Sequence, residues 1–220
     1  MEELRIPVGE ESVSGLLIRP PDARALYLFA HGAGTGMTHK SLASNAFGLS
    51  ERGIATLRYQ FLYREKGLKR PDAPKLAHAV VRAAAREAAK LAPDLPFFAG
   101  GRSFGGRMTS QAQAEAPLPG VIGLAFIGFP LHPAGKPGIE RAEHLERVDV
   151  PMLFVSGARD ALAQASLLKS VIARLGERAT LHEIADGDHS LKVPAKCGRT
   201  AAEAEGEALD AMADWMLGLA

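Results

Sequence analysis

A serine flanked by glycines on both sides is the residue of this chain best suited to covalent chemistry. The segment Gly101–Gly105 reads Gly-Arg-Ser-Phe-Gly, follows the apolar run Phe-Phe-Ala-Gly, and precedes a stretch with helical character. A strand-to-helix turn this tight requires small neighbours, and it holds the serine hydroxyl exposed at the N-terminus of the helix. The pattern therefore predicts that Ser103 is a nucleophile. The alternative is an ordinary glycine-rich turn, which the same glycines would also permit.

A serine hydroxyl is a weak nucleophile at neutral pH, so it requires a base and an acid that orients the base. Asp160 closely follows the apolar run 151–157, and His189 lies in the loop after the strand-like run 179–184. Serine, aspartate, histidine is the chain order of one known arrangement of nucleophilic triads. We therefore predict that His189 is the general base and that Asp160 orients it.

Alternatives exist for both partners of the serine. Asp160 could instead cap a helix predicted to begin at Ala161, because aspartate is a favoured N-cap residue. Asp186 and Asp188 flank His189, but we interpret them as loop-shaping residues that bond nearby backbone. The other histidines fit the role of base less well, because they lie in predicted elements, in connections or in a glycine loop: His31, His39, His78, His132, His144 and His182.

A second glycine-rich segment, His31–Gly34, directly follows the apolar run Ala-Leu-Tyr-Leu-Phe-Ala. Acyl transfer builds negative charge on the carbonyl oxygen of the substrate, and preorganised backbone N–H groups must meet that charge. We predict that the N–H groups of Ala33 and Phe104 form this oxyanion hole. His31 is interpreted as a hydrogen-bonding brace of the loop. A plain glycine turn is the alternative interpretation.

Apolar runs alternate with helical patterns along most of the chain. Eight runs predict strands: 4–8, 13–19, 25–30, 54–59, 96–100, 121–129, 151–156 and 179–184. Five longer patterns predict helices at 41–52, 75–91, 103–116, 161–175 and 201–219, with a short helical piece around 141–147. We therefore predict one α/β domain over residues 1–220, with helices flanking a mostly parallel eight-stranded sheet that begins with an antiparallel hairpin. In such sheets the ligand site lies beyond the carboxyl ends of the strands.

Composition excludes several classes of function. Hydrophobic residues make up 47% of the chain and charged residues 23%, and the net charge of +1 provides no global field for nucleic acid or an anionic membrane. No spacing suggests a metal site, and the run Gly32–Gly36 fits a dinucleotide fingerprint poorly, so no cofactor is predicted. The single cysteine, Cys197, and the acidic N-terminal segment favour a cytoplasmic location.

Several segments carry a resemblance to a known family: FAHGAG, LRYQF, GGRSFGGRM, GFPLHPAGK and DGDHSLK. The sequence resembles the α/β-hydrolase superfamily, near its small dienelactone-hydrolase-like members. It is more closely similar to a compact hydrolase-like group that includes a testis-expressed protein. The resemblance spans nearly the whole chain. It implies the α/β-hydrolase fold and the same triad and oxyanion loop.

Together these features predict a serine hydrolase that cleaves small or exposed esters or thioesters through an acyl-enzyme. The connection 130–150 is too short for a separate cap domain, which favours an open site with little or no lid. Candidate pocket residues are Met37, Tyr63, Leu131 and His132. The alternatives are hydrolysis of a carbon–carbon bond or acyl transfer by the same triad, or a non-catalytic scaffold with this fold.

Overall fold

Eight strands form one sheet in the computed structural model, which describes residues 1–220. The strands are β1 (Glu2–Val8), β2 (Glu11–Ile18), β3 (Ala25–Ala30), β4 (Ile54–Tyr59), β5 (Phe97–Arg102), β6 (Val121–Ile127), β7 (Met152–Gly157) and β8 (Ala179–Ile184). Their order across the sheet is β1-β2-β4-β3-β5-β6-β7-β8. β2 pairs antiparallel with β1 and β4, whereas β3 to β8 are parallel. The predicted mostly parallel sheet with an opening hairpin is confirmed.

Helices cover both faces of the sheet. They are α1 (Lys40–Ser50), α2 (Leu62–Glu65), α3 (Pro74–Leu91), α4 (Phe104–Glu115), α5 (Ala165–Leu175) and α6 (Ala201–Leu219), with short 3₁₀ segments at Glu140–Arg147, Gly176–Arg178 and Ala195–Cys197. One apolar core joins α3, α4 and α5 to the sheet, and a second joins α1 and α6 to the opposite face. Strands enclosed in this way need apolar side chains on both faces, and every residue of β3, β4 and β7 is buried.

The parallel arrangement gathers the chemically distinctive residues at one edge of the sheet. Ser103 follows β5, Asp160 lies in the loop after β7, and His189 lies in the loop after β8. The glycine loop that begins at His31 follows β3, the neighbour of β5. Because parallel strands end at the same edge, residues far apart in the sequence meet there.

Most predicted strands and helices end within two residues of the observed ones, and two differences are larger. Residues 62–65 form the short helix α2 in the connection between the predicted strand 54–59 and the predicted helix 75–91. The helix predicted from Ala161 begins only at Ala165, with Gln164 as its N-cap residue. Residues 161–164 are instead held in a turn after β7, where the Leu162 N–H donates to the Asp160 carboxylate.

The connection between β6 and β7 packs down against α4. Its 3₁₀ segment buries Ala142 and Leu145 in the core, and the His144 ring meets the Ser110 hydroxyl of α4 at 2.7 Å. Burial lowers the pKa of His144 to about 4, so the imidazole is neutral at neutral pH and the contact is an ordinary hydrogen bond. The segment in which this fold could carry a lid therefore forms part of the core.

The close approach of α4 to β3 yields a stability prediction. A Cβ atom on Gly105 would lie 2.5 Å from the His31 carbonyl oxygen and 2.7 Å from the Ala30 Cβ, and neither can move without shifting backbone. Gly105→Ala should therefore lower the free energy of unfolding by about 1–3 kcal/mol, as overpacking does. The matched control is Gly206→Ala in α6, where a Cβ meets nothing within 4 Å; it should raise stability by about 0.5–1 kcal/mol. Urea denaturation measures both, and equal stability of the two variants would contradict the close contact.

Candidate active site

A continuous chain of hydrogen bonds joins the serine, the histidine and the aspartate. The Ser103 Oγ lies 2.9 Å from His189 Nε2, and His189 Nδ1 lies 2.8 Å from Asp160 Oδ2. A carboxylate only accepts hydrogen bonds, so in the neutral ring Nδ1 carries the proton and its N–H donates a hydrogen bond to Asp160. This leaves the Nε2 lone pair to accept from the serine hydroxyl. The structure therefore brings the three predicted residues together in the order serine, histidine, aspartate, which general-base activation of a serine requires.

Ser103 occupies a strained backbone conformation. Its φ is 47° and its ψ is −115°, a region that residues with side chains rarely adopt and that costs on the order of 1–3 kcal/mol. The Ser103 N–H donates to the Ile127 carbonyl at 3.0 Å, which fixes the turn to β6. A Cβ on Gly101 would lie 2.5 Å from the Ala30 carbonyl oxygen, so the turn also presses against β3. These contacts hold the serine, which is partly exposed, at the start of α4.

The Asp160 side chain is buried and accepts two hydrogen bonds. It is 0% exposed, and one carboxylate oxygen faces the His189 ring. The other oxygen accepts from the Leu162 N–H at 2.7 Å. A buried carboxylate is costly unless its oxygens are bonded, so these contacts fix both its position and its direction. The proposed alternative role as a helix cap is not what the structure shows, because Gln164 occupies that position of α5.

The loop that carries His189 is held by close backbone contacts. A Cβ on Gly157 would lie 2.3 Å from the Gly187 carbonyl oxygen, and a Cβ on Gly128 would lie 2.7 Å from the His189 carbonyl oxygen. Asp188 accepts hydrogen bonds from the N–H groups of Ser190 and Lys192. This is the loop-shaping role predicted for Asp188. The acid that reaches the imidazole is Asp160.

The glycine loop after β3 is braced by His31. The ring is fully buried, its Nε2 accepts from the Phe61 N–H at 3.2 Å, and its Nδ1 lies 2.8 Å from the Gly32 carbonyl oxygen. Burial lowers the pKa of His31 to about 4, outweighing the bond to Gly32, which raises it. His31 is therefore a neutral brace at neutral pH.

The two predicted oxyanion donors lie at this end of the sheet. Ala33 is exposed beside Ser103, and its N–H donates to no backbone carbonyl. Phe104 is the first residue of α4, so its N–H has no acceptor inside the helix. Neither N–H group has an acceptor within the protein, as an oxyanion donor requires.

A groove of about 350 Å³ opens above Ser103 and His189. The glycine loop forms one wall, with hydroxyl and apolar side chains completing much of the rest: Thr35, Ser41, Ser190, Leu42, Ile127 and Leu162. His39 and Arg102 also line it. None of these side chains was predicted from the sequence to line a groove. Arg102 and Ser190 could have been found, since each adjoins a predicted triad residue in the chain.

Two residues predicted to line the pocket lie behind its wall. Leu131 and His132 both donate their backbone N–H to the Leu162 carbonyl, and it is Leu162 that lines the groove. Leu131 is fully buried, and the His132 ring is tied to the backbone of Pro133 and Gln164. Their assignment to the pocket is therefore corrected, because the connection packs inward rather than over the site.

The other two predicted pocket residues are also buried away from the groove. Met37 is 8% exposed and bonds through its backbone to Gln60 and Arg58. Tyr63 is 1% exposed, and its ring packs against those of His31 and Phe104. Neither lines the groove, because Met37 faces a separate groove beside β1 and β2 and Tyr63 is packed in the core.

A larger open groove of about 660 Å³ lies between β8 and α6. It contains several acidic side chains but neither Ser103 nor His189, so its size does not make it the site of acyl chemistry. No group of three or more His, Cys, Asp or Glu side chains is arranged to hold a metal ion. None of the helices has both the length and the apolar character needed to cross a bilayer.

Comparisons with known proteins agree with this architecture. A family model described as an alpha/beta hydrolase domain matches residues 23–217. A dienelactone hydrolase from Anabaena variabilis is similar in structure, with a TM-score of 0.74 and 23% identity over 99% of this chain and 96% of that one.

Two further structures have the same fold. An alpha/beta serine hydrolase without a lid from Xanthomonas campestris has a TM-score of 0.74 and 19% identity over 97% of this chain and 94% of that one. Est1E from Butyrivibrio proteoclasticus, with bound ferulic acid, has a TM-score of 0.75 and 16% identity over 98% of each chain. At these identities the structural likeness concerns the fold.

The buried neutral histidine predicts a pH dependence of stability. The folded-state pKa of His31, about 4, lies below its ordinary value of 6.5, so the unfolded chain takes up a proton first as the pH falls. The contribution of His31 to the free energy of unfolding is fully present above pH 6.5 and is lost as the pH falls towards 4. The loss is at most about 3 kcal/mol. His31→Gln should therefore lose less stability than wild type between pH 7 and pH 4.5. Urea denaturation at both pH values measures this, with His39→Gln as the exposed control; parallel losses in wild type and His31→Gln would contradict the prediction.

Proposed function

The chain belongs to the alpha/beta hydrolase family, and on that premise we propose that it is a serine hydrolase that cleaves carboxylic ester or thioester bonds of small or exposed acyl substrates. The observation that carries the proposal is the hydrogen-bond chain from buried Asp160 through His189 to Ser103. Ser103, His189 and Asp160 have the hydrogen bonds that a nucleophile, its base and the orienting acid require. The esterase and serine hydrolase names of the structural neighbours support the same class of reaction.

In the first half of the reaction, the Ser103 Oγ attacks the carbonyl carbon while His189 Nε2 accepts the hydroxyl proton. Asp160 stabilises the imidazolium that forms and keeps Nδ1 directed towards it. The N–H groups of Ala33 and Phe104 donate to the oxyanion of the tetrahedral intermediate. The imidazolium then gives its proton to the leaving alcohol or thiol, and an acyl group remains on Ser103.

In the second half, water replaces the leaving group. His189 accepts a proton from the water as its oxygen attacks the acyl carbonyl, and the same N–H groups stabilise the second oxyanion. Collapse of this intermediate returns the proton to Ser103 Oγ and releases the carboxylic acid. The open groove suits this step, because nothing must move aside to admit water.

The strained backbone at Ser103 favours catalysis over a scaffold role. A conformation that costs on the order of 1–3 kcal/mol persists only where the surrounding structure enforces it, and such strain concentrates at functional sites. A scaffold has no need to hold a serine hydroxyl exposed at 2.9 Å from a correctly oriented imidazole. The neutral ring, its buried acid and two free N–H groups complete an arrangement suited to acyl transfer.

Replacing the nucleophile tests the proposal directly. Ser103→Ala should retain the fold and lose p-nitrophenyl acetate hydrolysis by several orders of magnitude, because the remaining groups cannot form the acyl-enzyme. A fluorophosphonate probe should label wild type and fail to label the variant. Ser110→Ala is the matched control, since its hydroxyl also meets a histidine but is buried in the core. Retention of more than about a tenth of the wild-type kcat in Ser103→Ala would contradict the assignment.

Replacing the acid tests the orientation of the base. Asp160→Asn keeps an acceptor for the Leu162 N–H but presents an amide to His189, which favours the wrong tautomer of the ring. We expect kcat to fall by about 10³- to 10⁴-fold with the fold intact. Asp186→Asn, in the loop of His189 but outside the hydrogen-bond chain, should have little effect. Similar rates in the two variants would show that Asp160 does not orient the base.

A further inference from the structure

One wall of the groove above Ser103 carries a positive charge. Arg102 immediately precedes the proposed nucleophile and lines the groove together with Ser103 and His189. It is the only Lys, Arg, Asp or Glu among the groove residues, the rest being small, hydroxyl, apolar or histidine. The charge of this wall is therefore set by a single guanidinium.

Neutral oxygens hold that guanidinium in place. One terminal nitrogen donates to Asn45 Oδ1 at 2.8 Å, and the other donates to the Ser190 carbonyl at 3.4 Å. Arg102 takes part in no ion pair. A guanidinium carries more N–H groups than these two bonds use, so donors remain for a ligand.

The position of Arg102 is fixed from behind the groove wall. The Asn45 amide nitrogen donates to Glu205 Oε1, which leaves its oxygen directed at Arg102. Glu205 and Asp188 favour the charged form of Arg102, whereas burial, the larger effect, lowers its pKa. Neither carboxylate lines the groove. The cation is thus oriented, partly removed from water, and left without a contacting anion.

Burial is the largest effect on the pKa of Arg102, and Glu205 and Asp188 offset it only in part and without contacting the guanidinium, so a bound anion in contact would offset the remaining cost of the buried charge. We propose that Arg102 binds an anionic group, a carboxylate or a phosphate, on the acyl or leaving portion of the substrate, and so selects anionic esters or thioesters. This inference rests on the proposed function, since it names the substrate class of the same groove. Planar guanidinium groups suit such oxygens because they donate in pairs.

Arg102 could also serve only as a brace between α1 and the His189 loop, and the two roles give different results. Loss of a brace disturbs the site for every substrate alike. Loss of an anion-binding group changes the ratio of rates for a charged and a neutral substrate. The ratio of kcat/KM values for matched substrates is therefore the decisive quantity.

The matched substrates are p-nitrophenyl hydrogen glutarate, which is anionic, and its neutral methyl-capped diester. For each protein, kcat/KM for the anionic ester is divided by kcat/KM for the neutral ester. We expect this ratio to be about 10- to 100-fold larger in wild type than in Arg102→Gln, because charge-assisted hydrogen bonds are lost in the variant. Arg102→Lys should give an intermediate ratio, because it keeps the charge and loses the fork. Arg52→Gln, which removes an arginine outside the groove, should keep the wild-type ratio.

A binding measurement separates failure of this inference from failure of the proposed function. Glutarate and inorganic phosphate are titrated calorimetrically into Ser103→Ala and into the same protein with Arg102→Gln. At least one anion should bind about 10-fold more weakly to the double variant, and the tighter of the two identifies the anionic group. If wild type hydrolyses neither ester while anion binding still depends on Arg102, the proposed function is rejected and the anion site is retained. If wild type hydrolyses both esters, but neither the ratio of their kcat/KM values nor anion binding changes in the Arg102→Gln variants, the proposed function is retained and the anion site is overturned.

Discussion

Contact between the turn at Ser103 and the end of β3 sets the geometry of the whole site. Gly101 and Gly105 let two stretches of backbone approach within distances that a single Cβ atom would forbid. This contact drives Ser103 into its strained conformation and places α4 directly behind it. It also places the glycine loop after β3 beside the serine, as the proposed oxyanion hole requires. A looser turn would separate the proposed nucleophile from the groups proposed to stabilise the tetrahedral intermediate.

Burial determines how the charged and neutral groups of the site are stabilised. Asp160 has no solvent exposure, so its charge is met by one backbone N–H and one imidazole N–H rather than by water. Burial lowers the pKa of His31 to about 4, and its Nε2 already accepts from the Phe61 N–H, so it suits a brace rather than a competing base. Arg102 retains a charge at the groove wall with neutral oxygens as its only partners. Among the Lys, Arg, Asp and Glu side chains, Arg102 alone lines the groove, where a bound substrate could reach its charge.

The sequence predicted which residues meet at one edge of the sheet where chemistry and backbone geometry coincide. The glycines around Ser103, the loop position of Asp160 after β7 and the loop of His189 after β8 all follow from strand ends that parallel pairing forces to one edge. The pocket was predicted poorly, because Leu131 and Tyr63 lie in connections whose inward packing depends on contacts remote in sequence. The direction of the Arg102 side chain depends on Asn45 in α1, a contact that no local pattern of residues shows. The late start of α5 has a similar origin, since Asp160 turns the chain before the helix can begin.

The central claim is that Ser103 carries the acyl group between the two halves of the reaction. A p-nitrophenyl carbamate tests it most directly, because a carbamoyl group leaves a serine slowly and the modified protein can be isolated. After reaction, digestion and mass spectrometry should find one carbamoyl group on the peptide that contains Ser103, in an amount equal to the p-nitrophenol released. Release of p-nitrophenol with Ser103 unmodified, or with the carbamoyl group on another residue, would contradict the account.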